Sequence, residues 1–101
     1  MDKNGYNESI LDTTPGRCYL CTRILSQSVR HEIYFGPTRK ISKVNGFWVN
    51  ICPECHTTGR MAVHRNPLSG YDIQLKRECQ IEYEKTHSRA EFMELIGKNY
   101  L

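Results

Sequence analysis

The chain has 101 residues, of which 39% are hydrophobic, with a mean hydropathy of −0.60 and a formal net charge of +3. That is enough for one small domain with a thin core, a size at which a covalent or metal staple usually supplements hydrophobic burial. A bilayer-spanning helix is excluded, because the least polar stretch, "VNGFWVNICP", is far too short and too polar to cross a membrane.

Residues 1–16 are polar, lack hydrophobic periodicity and end in "TTPG", so they read as a flexible leader before a single domain over 17–101. The opening "MDKNGYNESI" has no basic region followed by an apolar run, so no signal peptide is expected. The resulting expectation is a cytoplasmic protein whose thiols stay reduced. "RCYLCTRI" then has the form of a zinc knuckle, a tight turn that offers Cys18 and Cys21 on one side.

The segment 28–36, "SVRHEIYFG", is rich in β-branched and aromatic residues and stops at Gly36-Pro37, which predicts a strand. "PTRKISKVNG" reads as a basic loop carrying Arg39, Lys40 and Lys43, with Asn45-Gly46 as a turn signal. "FWVNIC" alternates, placing Phe47, Val49 and Ile51 on one face and Trp48 and Asn50 on the other. A β-hairpin joined by a basic loop follows from these three segments.

Beyond Cys52 the chain turns at Pro53 and is expected to form a short helix that includes His56 and is limited by Gly59. Leu68, Tyr71, Leu75, Cys79 and Tyr83 recur at helical spacing, predicting an amphipathic helix over 71–85 with Cys79 as a small core residue. "SRAE" has the form of a capping box, and Phe92, Leu95 and Ile96 give the last helix an apolar stripe that ends at Gly97. The fold class expected is α+β, a small zinc-stapled domain with a β-hairpin and two or three C-terminal helices.

Two Cys-x-x-Cys turns, Cys18/Cys21 and Cys52/Cys55, stand thirty residues apart. Each turn brings two sulfurs within reach of one ion, and together they complete a tetrahedron suited to Zn²⁺. A closed four-sulfur shell has no open position, so this zinc holds structure. His56, directly after Cys55, is the alternative ligand for the shell. If sulfur alone fills it, His31, His56 and His64 are left to converge on a second site.

Here the residues carry a resemblance. "RHEIYFGPTRK", "VNICPECH", "AVH" and the closing "FMELIGKNYL" are similar to small phage and prophage proteins of the HNH nuclease family, which have the ββα-metal fold. The resemblance implies a metal-dependent endonuclease that hydrolyses DNA phosphodiester bonds, with Mg²⁺, Mn²⁺ or Zn²⁺ at the catalytic site. On this chain it implies His31 as general base, Glu32 and His56 as metal ligands, and His64 as a third ligand or phosphate contact. Asn50, or alternatively Asn45, would orient the base. Because Arg30 precedes His31 and cannot bind a cation, a second register is open in which His31 is a ligand and Glu32 takes the base position. Arg39, Lys40, Lys43 and Arg60 would contact phosphates of a nucleic acid, DNA in the first place. The competing expectation is a zinc-binding module for nucleic acid or protein whose active site has decayed.

Overall fold

A computed structural model describes residues 2–11, 14, 16–27 and 29–101. The elements run β1 (Val29–Glu32), a 3-10 turn (Gly36–Thr38), α1 (Arg39–Asn45), β2 (Trp48–Ile51), a π-helical turn (Glu54–Thr58), α2 (Gly70–Tyr83) and α3 (Arg89–Ile96). The expected α+β class is observed: a two-stranded antiparallel hairpin, helices, and a cysteine cluster consistent with a zinc staple.

β1 and β2 pair Val29 with Ile51, Arg30 with Asn50, His31 with Val49 and Glu32 with Trp48. Strand alternation then gives the hairpin two chemically distinct faces. His31, Val49 and Ile51 are buried on the core side. Arg30, Glu32, Trp48 and Asn50 occupy the other.

The first strand is shorter than its composition suggests. Ile33 and Tyr34 are buried in the core; the Ile33 N–H still bonds the Phe47 carbonyl at 2.9 Å, but at Tyr34 a side chain takes over the hydrogen bonding. The buried Ser42 hydroxyl donates to the Tyr34 carbonyl at 2.6 Å and accepts from the Tyr34 N–H at 3.1 Å.

The segment expected as a basic loop between the strands is a helix instead. "RKISKVN" contains no proline or glycine, so α1 forms without a breaker and ends at Gly46, whose φ of 74° makes it the left-handed helix terminus. Asn45-Gly46 therefore does reverse the chain, through a helix end and not through a two-residue hairpin turn. Gly46 is also a close-approach point, since a Cβ built there would overlap the Glu8 carbonyl. Segment 2–11 lies along this region, with the Ile10 N–H bonded to the Gly46 carbonyl at 3.0 Å and the Asn7 N–H to the Lys43 carbonyl at 3.0 Å.

The core joins the hairpin to the C-terminal helices through an aromatic cluster. Tyr34 meets Phe47 and Phe92 edge-on at 5.6 and 5.5 Å, and Phe47 meets Tyr83 at 5.4 Å. Leu75, Cys79 and Tyr83 are buried along α2, so the core role of Cys79 holds, whereas Leu68, the first residue of the expected series, lies ahead of the helix and is exposed. Ser88 and Glu91 form the anticipated capping box of α3, and Gly97 closes it with φ 86°. No helix of the described residues is long and apolar enough to cross a membrane.

Replacing Gly46 by alanine combines a left-handed backbone with a clash against residue 8, costing about 2 kcal/mol or more. Thermal unfolding of Gly46→Ala should then occur roughly 10 °C lower than in the native chain. An unchanged melting temperature would show that segment 2–11 does not pack on this glycine.

Candidate metal centres

The first centre is the cysteine cluster. Around Cys18 the chain doubles back tightly: the Cys18 N–H bonds the Arg23 carbonyl at 2.8 Å and the Leu25 N–H bonds the Gly16 carbonyl at 2.8 Å. The Cys21 N–H points back at the Cys18 sulfur, 3.5 Å away. The second knuckle continues directly from β2, and the Tyr19 N–H reaches the Asn50 carbonyl at 2.9 Å, tying the two knuckles together. The sulfurs of Cys18, Cys21, Cys52 and Cys55 all lie within 4.8 Å of one another.

This spacing suits a metal and excludes a disulfide. A tetrahedron built from Zn–S bonds of about 2.3 Å has S···S edges of about 3.8 Å. Cys21 Sγ and Cys52 Sγ are 3.8 Å apart, and all four cysteines are free thiols. The group can therefore hold one structural zinc ion. Burial opposes ionisation of Cys18, but backbone N–H groups of Cys21, Cys52 and Leu20 outweigh it and bring the thiol down to about 7. Burial and the neighbouring thiols of Cys52 and Cys18 push Cys55 the other way. A divalent cation among the sulfurs stabilises all four as thiolates, so zinc binding releases protons.

The second centre comprises His31, His56 and His64, each offering one ring nitrogen within 4.8 Å of the others. Three different pieces of chain deliver them. β1 carries His31 on the core face of the hairpin. The π-helical turn that begins at the second knuckle carries His56 immediately after Cys55. Beyond the bend at Gly59 the chain folds back onto that turn, with Val63 N–H on the Cys55 carbonyl at 2.9 Å and His64 N–H on the His56 carbonyl at 3.2 Å. The buried Ala62 and Val63 anchor the return, so His64 arrives beside His56.

His56 Nε2 and His64 Nε2 are 3.0 Å apart. That distance fits an N–H···N hydrogen bond, and it also fits adjacent ligands of an octahedral ion with bonds of roughly 2.1 Å. His31 bears on the choice. It is 1% exposed, and its Nε2 is fully buried with no hydrogen-bond partner. A buried polar atom left in that state calls for an explanation, and an ion is one that three converging imidazoles supply. Burial, then the proximity of His64 and His56, lowers the His31 pKa to about 3, and burial with His64 lowers that of His56. Both rings are thus held neutral, the form that binds metal.

Phe35 forms a lid on this group, 5.8 Å from the His31 ring and 5.0 Å from His64. Beneath it stands Lys76 Nζ, 4.3 Å from the Phe35 ring and ion-paired to the buried Asp72 at 2.8 Å. The three histidines open onto a cleft of about 480 Å³ also lined by Arg30, Glu32, Phe35, Gly36 and Arg39.

Glu32 lines the same cleft from the opposite face of the hairpin, where the Tyr6 hydroxyl donates to it at 2.5 Å and Arg39 Nε at 3.0 Å. Asn50 pairs with Arg30, on the hairpin face away from His31. Arg39 borders the cleft, Lys40 and Lys43 lie further along α1, and the exposed Arg60 is not among the cleft residues. Arg30 was legible in the sequence only as an obstacle beside His31. Its guanidinium lies 4.3 Å from the Tyr6 ring and 4.4 Å from the Trp48 ring, with Asp2 at 2.9 Å. Strand alternation was the signal that could have placed it at the cleft edge.

No protein-family model matches the chain, and neither a curated protein nor a solved structure does.

Cys52→Ser should open the sulfur shell, release zinc and abolish the cooperative melting transition, read by metal analysis and circular dichroism. His56→Ala should keep the folded spectrum and one bound zinc. A folded, zinc-bearing Cys52→Ser protein would contradict the clasp.

Proposed function

We propose that the protein is a metal-dependent phosphodiesterase of the HNH type, acting on nucleic acid at the three-histidine centre. The observation that carries this reading is the convergence of His31, His56 and His64 on one point at the wall of an open, arginine-flanked cleft. Four thiolates close a coordination shell, whereas three imidazoles leave positions open, which is the pattern of catalytic and not structural metal sites. A divalent cation held there, whether Mg²⁺, Mn²⁺ or Zn²⁺, supplies polarisation of a phosphoryl oxygen and acidifies a water.

The chain's own residues divide the remaining work. His31, buried among the other two rings and Phe35, serves as a ligand, which favours the second of the two sequence registers. Glu32 is the one carboxylate lining the cleft among the described residues, and it takes the position of proton acceptor. Tyr6 and Arg39 hold it in place. Arg30 and Arg39, with planar guanidinium groups at the cleft edge, bind phosphate oxygens. Phe35 and the returning segment anchored at Val63 pack around the imidazoles.

A second reading, a metal-binding interaction module, draws on one observation: Glu32 already spends its carboxylate on Tyr6 and Arg39. The two readings part in a plasmid assay. With Mn²⁺ or Mg²⁺ the native chain should nick supercoiled plasmid, and His31→Ala and His56→Ala should each slow nicking by about 100-fold or more. Nicking at the native rate by both variants would remove the histidine centre from the reaction. Absence of nicking by the folded native chain in Mn²⁺, Mg²⁺ and Zn²⁺ alike would favour the interaction module.

A further inference from the structure

The positive charge of this protein is not spread over its surface. Between residues 30 and 43 stand four bases, Arg30, Arg39, Lys40 and Lys43, and one acid, Glu32. Elsewhere ten bases face ten acids and cancel, so this single stretch holds the whole net excess of +3.

The fold turns that stretch into a surface. The histidine cleft, the cleft beneath Tyr6 and Asn4, and a third of about 570 Å³ along α1 share their walls. Arg39 lines all three, Arg30 joins the first to the second, and Lys43 joins the second to the third. The result is one continuous trough that begins at the three imidazoles and ends beyond Lys40 and Lys43. Residues 4–6 form its outer wall, so the N-terminal segment belongs to the surface. Neither Lys40 nor Lys43 has an ion-pair partner among the described residues, and Lys43 Nζ lies 4.8 Å from the Tyr6 ring. At Arg30 the Asp2 carboxylate occupies a place that a phosphate oxygen could take.

We infer that a nucleic-acid strand lies along this trough, with successive phosphates on Lys43, Lys40, Arg39 and Arg30 and its scissile phosphate at the histidine centre. The inference rests on the phosphodiesterase reading for the identity of the polyanion. An acidic polypeptide would match the charge equally, so the choice of a nucleic-acid strand follows from that reading and not from the charge. Cations in a row contact phosphates without reading bases, so the binding is sequence-tolerant and sensitive to salt.

The test is fluorescence anisotropy of labelled 20-nucleotide single strands and duplexes, without added divalent ion so that nothing is cut. Four phosphate contacts predict that log K for the duplex falls with log[salt] at a slope of about −3 to −4. Lys40→Glu combined with Lys43→Glu should weaken binding at least about tenfold and flatten the slope by about 2, with melting temperature and zinc content unchanged. A charge-matched control, Lys85→Glu with Lys98→Glu, should bind as the native chain does. Equal loss in both double variants, or an unaltered slope in the first, would overturn the trough. Because no cutting is involved, this result is read separately from the catalytic reading. A protein that binds as predicted but never nicks plasmid loses the phosphodiesterase reading and retains the surface.

Discussion

Four sulfur atoms drawn from two turns thirty residues apart set the geometry of everything else in this molecule. The ladder between β1 and β2 contains only four residue pairs, and a two-stranded ribbon of that length is not stable in water on its own. The knuckle around Cys18 precedes β1, and the one around Cys52 continues from β2. A cation gripped by both closes that end of the hairpin. In a chain with so thin a core, metal binding of this kind is folding free energy. The aromatic cluster of Tyr34, Phe47, Tyr83 and Phe92 then secures the C-terminal helices against the core face.

The histidine centre is a consequence of that clasp. His56 is the residue after a sulfur ligand, so its backbone position is fixed as soon as the second knuckle forms. His64 is fixed in turn by the backbone hydrogen bonds of Val63 and His64 to the Cys55 and His56 carbonyls. His31 comes from the opposing strand, whose register with β2 places it across from Val49. The hairpin therefore separates two kinds of chemistry by simple alternation. A neutral imidazole able to bind a metal stands on the buried side, while Arg30 and Glu32 approach the same cleft from the other. Segment 2–11 stabilises that second side through Tyr6, Asp2 and a Trp48 indole N–H bonded to the Asn7 carbonyl at 2.7 Å.

What could be read from the sequence was whatever depends on local spacing. Paired Cys-x-x-Cys turns, the capping box at Ser88, the left-handed Gly97 and the 3.6-residue rhythm of α2 are all short-range signals, and each is present in the fold. The connection between the strands was misread because Asn-Gly has a left-handed glycine in both of its uses. Only the absence of breakers in "RKISKVN" favoured a helix terminus over a hairpin turn. The end of β1 was equally opaque, since Ile33 and Tyr34 are good strand residues. What takes Tyr34 out of the ladder is a hydroxyl eight residues away. Arg30 marks the boundary at the site: alternation sets the hairpin face it occupies, whereas its packing against Tyr6 and Trp48 is a long-range contact that no local pattern announces.

The central claim is that the clasp is made of sulfur alone and so leaves the imidazoles available for a second ion. X-ray absorption at the zinc edge tests it directly on the native protein carrying one equivalent of zinc. The account predicts four sulfur neighbours at about 2.3 Å and no nitrogen in the first shell. A shell containing nitrogen at roughly 2.0–2.1 Å would put a histidine into the clasp and contradict the account.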